Sequence, residues 1–385
     1  MMNKSFTFVY IFLFIFIIKA NAQKKLKVGL FQSSKIDLLE IRIDEGTILI
    51  KADFTNFSLP LNSILNIASI GSKICLSTGK INLGVFKNVE IEIPQKTSVV
   101  LKPLSPNYPE NRYTEKLLIR SNQNKLSLIN SISMENYVVG VLRGEIGYDK
   151  PFYSYVVLAI LAQTYAEGYY SRHRSEGFNL CDQVHCQVFK GYFKYEHYHQ
   201  AADLARDKVV LDANGNIIEG LFHSNCGGIT QYASDVWKND LNYCKSIEDT
   251  FCKNQKNSAW SKVFSINDFC LKLNIPFSDD SADKEIFSDN TFVKNDKRLK
   301  DITLMNKSFN TLFIRTQLNL KSNWFEIKCN GDSVLISGKG FGHGVGLCQE
   351  GCMVMAKQGC NEEEIIHYYF NNVIITDRNK LRINN

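Results

Sequence analysis

A chain of 385 residues, 44% of them hydrophobic, is long enough to bury a substantial core in one large or two modest domains. Its formal net charge of +6 is mildly basic. That suits an anionic polymer but falls short of a nucleic-acid binder, and no RNA or DNA motif is present, so no nucleic-acid partner is expected.

The first elements in chain order are those of a signal peptide over residues 1–22. Lys4 supplies the positive start, Phe6–Ile18 the apolar run, and Ala20-Asn21-Ala22 a small-residue cleavage site. The run is shorter than the roughly 20 residues a bilayer span needs, and an uncleaved membrane anchor is the alternative reading. Cleavage leaves a secreted chain that begins at Gln23, still mildly basic without Lys4 and Lys19, with no later membrane span. Its expected location is periplasmic or extracellular.

Residues 23–130 read as a β-rich N-terminal part. Leu26–Gln32, Leu38–Ile43, Gly46–Lys51, Val89–Ile93, Thr97–Lys102 and Leu117–Arg120 are short alternating or β-branched runs. Residues 131–375 read as the core that carries function. It opens with a helix over about Ser133–Glu145, with Ser133 as N-cap. A second helix follows Pro151 and runs to about Tyr170, burying Val157, Ile160, Leu161, Thr164 and Tyr165 as a stripe. A hairpin joins Val209–Asp212 to Ile217–His223 across Asn214-Gly215. A polar surface insertion lies near 275–300. Leu312–Arg315, Trp324–Lys328 and Ser333–Gly338 return to strand, and a closing helix starts at Asn361 with Glu364 completing a capping box. Residues 376–385 form a tail. The expected fold class is α+β, mostly β, with a central helical pair and a C-terminal helix.

Two segments carry chemistry. In ENYVVGVLRGEIG (Glu135–Gly147), Tyr137, Val138, Val141 and Leu142 share one helical face with Met134, and Glu145 is the next position on that stripe. A carboxyl among apolar neighbours is held partly out of water. That raises its pKa and keeps the proton a general acid needs. Gly147 stops the helix, so Glu145 lies at the mouth of the element. The plain alternative is a last-turn Glu that leans into water. In GKGFGHGVGLCQEGC (Gly338–Cys352), glycines at 338, 340, 342, 344 and 346 surround His343 at every second position. Such alternation strips side chains from one face of an extended segment and lets a backbone or ligand approach closely. No Lys-Ser/Thr follows it as in a phosphate loop, and no strand and acidic residue frame a dinucleotide fingerprint.

ENYVVGVLRGEIG, then AQTYA (Ala162–Ala166), HSNCGGIT (His223–Thr230) and GFGHGVGLCQEG (Gly340–Gly351) resemble, in order and spacing, the stage II sporulation protein D (SpoIID) family, which includes amidase enhancers. The resemblance runs over residues 26–375. It implies a lytic transglycosylase that cuts peptidoglycan glycan strands of the cell wall, with Glu145 at the position of the catalytic acid/base. One carboxyl suffices for that reaction, because the sugar's own 6-hydroxyl closes a 1,6-anhydro ring; ordinary glycosidases need two. The substrate-cleft residues expected on the same basis are His223 and Ser224, hydrogen-bonding sugar hydroxyls, together with His343, Gly344 and Gln349; Glu350 can also face the cleft. A tight turn on Gly227 and Gly228 is the other reading of the first loop, and a structural hydrogen bond the other reading of His343. The family usually has a small or hydroxyl residue where Cys226 stands. A Cys226–His343 thiol–base pair lacks an orienting Asn or Asp. Trp237 and Trp260 read as core. The rival function is a non-catalytic cell-wall-binding amidase enhancer, whose partner is a cell-wall amidase.

His173, Cys181, His185 and Cys186 fall in HRSEGFNLCDQVHC, after the second helix. Two thiols and two imidazoles are the ligand set of tetrahedral zinc, although the spacing is not that of a zinc finger. His197 or His199 can stand in for His173. The alternative is a Cys181–Cys186 disulfide with two surface histidines. The resemblance adds that some SpoIID relatives carry a His/Cys zinc site near this place. The 11 cysteines are an odd number, so at least one is unpaired within the chain. Cys244–Cys252 is the expected bridge of an exported protein, while Cys348 and Cys352 are expected to pack on a helix as small apolar residues.

Overall fold

Alternating burial builds the first half of the chain. Ile48, Ile50 and Ala52 bury every second residue of one strand, as do Leu117 and Ile119, and Leu126 and Leu128, of two others. The computed structural model describes residues 25–237, 240–277, 291–293, 298–304, 307–330 and 332–381. The expected signal peptide, most of the expected 275–300 insertion and the end of the expected tail lie outside them.

A seven-stranded sheet runs in the order Leu180–Cys181, Leu26–Leu30, Lys125–Ile132, Lys116–Asn122, Asn88–Glu92, Ile48–Ala52 and Thr55–Leu59. A six-stranded sheet runs Asn111–Tyr113, Val99–Ser105, Leu38–Arg42, Ile64–Ile70, Lys73–Thr78 and Ile81–Phe86. Leu26–Leu30 pairs antiparallel with Lys125–Ile132 and parallel with Leu180–Cys181, so the first strand is tied to a loop in the middle of the chain. Both sheets share one hydrophobic core with the helices that follow. The fold is α+β and mostly β, as expected. All six expected N-terminal strands are present. Ile64–Ile70, Lys73–Thr78, Asn111–Tyr113, Lys125–Ile132, Thr55–Leu59 and Ile81–Phe86 were not anticipated. The last two are edge strands with few buried side chains, so they lack a buried alternation.

Helix α1 spans Met134–Glu145, and the Ser133 hydroxyl caps it by accepting from the Asn136 N–H at 3.3 Å. Helix α2 spans Phe152–Gly168. Every residue from Ser154 to Ala166 is buried, so α2 is enclosed on all sides and has no single stripe. It packs against α1, α3 (Glu196–Leu204), strand Lys208–Leu211 and the C-terminal helices Gln349–Lys357 and Glu362–Tyr369. The last of these has the expected capping box of Asn361 and Glu364.

The expected hairpin forms only at its base, where Leu211 bridges Ile217. Its second arm departs, and Phe222–His223 pairs in parallel with Leu347–Cys348. This pairing sets His223 beside the glycine-rich segment. Leu312–Arg315 is a further correction: it lies in a helix, Thr311–Gln317, because Asn310 Oδ1 accepts from the N–H groups of Leu312 and Phe313. That helix joins a second, smaller hydrophobic cluster between Phe264 and Ile336, built on a sheet ordered Ala259–Ser265, Ser333–Lys339, Phe325–Asn330 and Thr291–Val293.

One face of α1 is cut away to admit the chain over residues 187–191. A Cβ on Gly140 would meet the Phe189 ring at 2.3 Å, and one on Gly144 would meet the Val188 carbonyl oxygen at 2.1 Å. Backbone cannot yield as a flexible side chain can. Gly144→Ala is therefore expected to cost about 1–3 kcal/mol through overpacking. Denaturant unfolding reads this as a lower midpoint at constant slope. An unchanged midpoint contradicts the close contact.

Candidate active site

A cleft of about 790 Å³ opens where the end of α1 meets the loop after Cys181, the end of α2, the segment 219–224 and the glycine-rich segment. Its lining includes Glu145, His185, Cys186, His223, Ser224, His343 and Gln349. The fold thus brings residues from both ends of the core into one cleft. Gly344 does not line it; a Cβ there would meet the Arg298 guanidinium at 2.7 Å. Glu350 also turns away, accepting from the side-chain amides of Asn225 at 2.6 Å and Asn257 at 2.7 Å.

Glu145 ends α1 and is half-buried. Its Oε1 accepts the Val188 N–H at 2.7 Å. Burial raises its pKa above that of an ordinary glutamate, and the Val188 hydrogen bond opposes this in part. The carboxyl is thus held in the protonated direction while one oxygen is fixed.

The opposite wall carries two histidines whose rings lie 5.4 Å apart. His343 is bound at both nitrogens: the Val345 N–H donates to Nδ1 at 3.1 Å, and Nε2–H donates to the Phe222 carbonyl at 3.0 Å. Burial lowers its pKa to about 4, so it is neutral. This is the geometry of a structural hydrogen-bonder. His223 differs. Its Nδ1–H donates to the Val345 carbonyl at 3.1 Å, and its Nε2 is buried with no partner among the described residues. Burial also pushes its pKa well below the usual value. A neutral imidazole in this tautomer offers an acceptor to whatever enters the cleft.

The glycine-rich segment is not extended. Gly340, Gly342, Gly344 and Gly346 all take positive φ, so every second residue lies in the left-handed region. Close approach is the reason at two of them. A Cβ on Gly342 would meet the His223 Cβ at 2.8 Å, and one on Gly346 the Leu221 carbonyl oxygen at 2.4 Å.

Several lining residues were not found from sequence: Tyr165, Tyr169, Arg172, Gln187, Glu219 and Trp237. Gln187 accepts from the Tyr137 hydroxyl at 2.9 Å, while its Nε2 has no partner among the described residues. Trp237, expected as core, is 40% exposed and its ring lies 5.1 Å from that of His343. Trp260 is half-buried, and its indole N–H donates to Ser322.

His173, Cys181, His185 and Cys186 come together beside the cleft, each with a ligand atom within 4.8 Å of the others. His173 Nε2 lies 3.4 Å from Cys186 Sγ, and His185 Nδ1 lies 3.8 Å from both thiols. Glu176 meets His173 Nδ1, the outer hydrogen bond that orients a ligating imidazole. Two thiols, two imidazoles and this support fit a tetrahedral metal. His197 and His199 are engaged elsewhere, with Tyr195 and the Phe193 carbonyl.

The cysteine expectations need correction. Cys244 and Cys252 are both free thiols. Cys252 Sγ faces Cys226 Sγ at 3.3 Å, because a turn through Asp249 directs it there. Cys226 Sγ also meets Asp249, so it forms no pair with His343. Cys348 and Cys352 are both buried, but only Cys352 lies on the helix as expected; Cys348 ends the strand before it, and its Sγ accepts the Cys226 N–H at 3.3 Å.

The family model for stage II sporulation protein (SpoIID) matches residues 122–218, which hold α1, α2 and the His/Cys cluster. Over that segment the chain is similar to the SpoIID family. Its similarity extends to stage II sporulation protein D of Bacillus subtilis, 27% identical over 304 residues, 74% of this chain and 85% of the relative. An uncharacterized protein of Brachyspira hyodysenteriae is 29% identical over 259 residues, 66% of this chain and 69% of the relative. The amidase enhancer of Bacillus subtilis is 26% identical over 287 residues, and that alignment spans 61% of this chain and 40% of the enhancer. No helix among the described residues is long and apolar enough to cross a membrane.

The raised pKa of Glu145 sets a stability test. A pKa raised by folding gives a contribution that is fully present below the ordinary glutamate pKa and is lost as pH rises through the folded value. Glu145→Gln keeps the acceptor for Val188 and never ionises. Its melting temperature relative to wild type should therefore increase as pH is raised from about 4 to about 8. A difference that does not change with pH contradicts the desolvated carboxyl.

Proposed function

We propose that the protein is an exported lytic transglycosylase acting on peptidoglycan glycan strands, with Glu145 as the single general acid/base. The observation that carries the reading is a carboxyl kept in the protonated direction inside a cleft whose other wall presents His223 Nε2, without a partner among the described residues. Glu145 protonates the glycosidic oxygen. It then accepts the proton of the 6-hydroxyl as that oxygen closes the 1,6-anhydro ring. His223 Nε2 accepts from a sugar hydroxyl, Gln187 Nε2 donates to a sugar oxygen, and Ser224 and Gln349 supply further contacts. His343 holds the backbone that positions His223. The relative named stage II sporulation protein D supports a role at the cell wall, and the apolar N-terminal run supports export.

His173, Cys181, His185 and Cys186 would hold zinc in this reading, with Glu176 orienting His173. The metal would staple the loop that leads into Gln187 and Val188. The purified protein should contain zinc, and Cys181→Ser should release it and lower the melting temperature. Elemental analysis that finds equal zinc in wild type and variant contradicts the assignment.

The similarity to an amidase enhancer favours a second reading, a wall-binding module that activates an amidase without cutting glycan. Mass spectrometry of purified glycan strands separates the two. The transglycosylase releases 1,6-anhydro-muropeptides alone, and Glu145→Gln lowers that release by about 10²-fold or more. No cleavage alone, with stimulation of an added amidase, supports the enhancer. Reducing-end products in place of anhydro sugars would point to hydrolysis, for which Glu219 offers a second carboxylate in the cleft.

A further inference from the structure

A second group of metal-ligating side chains lies behind the cleft wall that carries His223 and His343. Cys226, Asp249, Cys252 and Cys348 each have a ligand atom within 4.8 Å of the other three, and all four residues are 0% exposed. They come from three separate segments: the loop after His223, the turn over 249–252, and the end of the glycine-rich segment.

We propose that Cys226, Asp249, Cys252 and Cys348 bind a zinc ion, distinct from any at His173, Cys181, His185 and Cys186. The donor set is three thiolates and one carboxylate, a soft tetrahedral site with no open position.

The geometry suits a metal better than a disulfide. Sulfurs bound at about 2.3 Å to a tetrahedral zinc lie about 3.8 Å apart. Cys226 Sγ lies 3.3 Å from Cys252 Sγ and 3.3 Å from Asp249 Oδ2. A Cys226–Cys252 disulfide would leave the buried Cys348 thiol beside it outside the bond. No Lys, Arg or His forms an ion pair with Asp249 among the described residues, so hydrogen-bond donors alone meet its charge until a cation is bound.

The outer shell is also in place. Asp249 Oδ1 accepts the N–H groups of Phe251 at 3.0 Å and Cys252 at 3.2 Å, which leaves Oδ2 toward the thiols. The Tyr369 hydroxyl donates to Oδ2 at 3.0 Å. The Cys226 N–H donates to Cys348 Sγ at 3.3 Å, the kind of bond that steadies a thiolate. Four anionic ligands around a dication leave excess negative charge. The buried Arg298 guanidinium answers it, donating to the Cys226 carbonyl at 2.6 Å. The ion would lock together the segments that present His223, Ser224, His343 and Gln349.

The experiment measures zinc in the full secreted chain and in the Cys181→Ser/Cys186→Ser double variant, purified without reductant or chelator. The double variant should keep about one zinc per chain by native mass spectrometry. Its zinc absorption-edge spectrum should show three sulfurs at about 2.3 Å and one lighter ligand. A folded double variant without zinc overturns the proposal, as does a Cys226–Cys252 disulfide in its peptide map. If the double variant does not fold, the wild-type spectrum decides. An average above two sulfurs per zinc supports the second site, and two or fewer overturns it. None of these readouts depends on glycan cleavage, so failure here and failure of the transglycosylase reading are separable.

Discussion

The hydrogen bond from the Val188 N–H to Glu145 Oε1 is the constraint on which the cleft depends. It requires the chain after Cys186 to lie directly on α1, and Gly140 and Gly144 remove the side chains that would prevent this. The same segment is anchored by the Tyr137–Gln187 hydrogen bond and by the pairing of Leu180–Cys181 with the first strand. The carboxyl's environment is thus set by the N-terminal sheet, the His/Cys loop and the helix together. A lone last-turn glutamate would sit in water with an ordinary pKa.

The two histidines on the facing wall divide one task. Both are neutral, because both are buried. His343 spends both nitrogens on backbone and fixes the turn around itself. His223 spends one and leaves Nε2 without a partner among the described residues. A buried polar atom without a partner is costly, and such atoms mark places that a ligand or water completes. The wall is supported from behind by the Cys226–Asp249–Cys252–Cys348 cluster, while the other His/Cys cluster borders the cleft itself through His185 and Cys186.

Helix α1 was legible because three local signals agree: the Ser133 cap, the apolar stripe and the stop at Gly147. The closing helix was legible through its capping box. Leu312–Arg315 was misread because four apolar or long side chains fit a strand and a buried helix equally, and the Asn310 cap decides between them. The glycine alternation correctly signalled close approach, but it serves left-handed turns and not an extended strand. Arg172, Gln187 and Glu219 carry no motif. They reach the cleft only through tertiary packing, which a single sequence does not display. Cys226, Asp249, Cys252 and Cys348 are similarly scattered, and the Asp249-x-x-Cys252 turn is their only local trace.

The most direct measurement is the titration of Glu145 itself. Carbon-13 NMR of the side-chain carboxyl, assigned by its loss in Glu145→Gln, gives the midpoint without any substrate. A midpoint clearly above the ordinary glutamate value of about 4.3 is the expected result. A midpoint at or below that value would show a solvated carboxylate at the end of α1 and contradict its use as the acid.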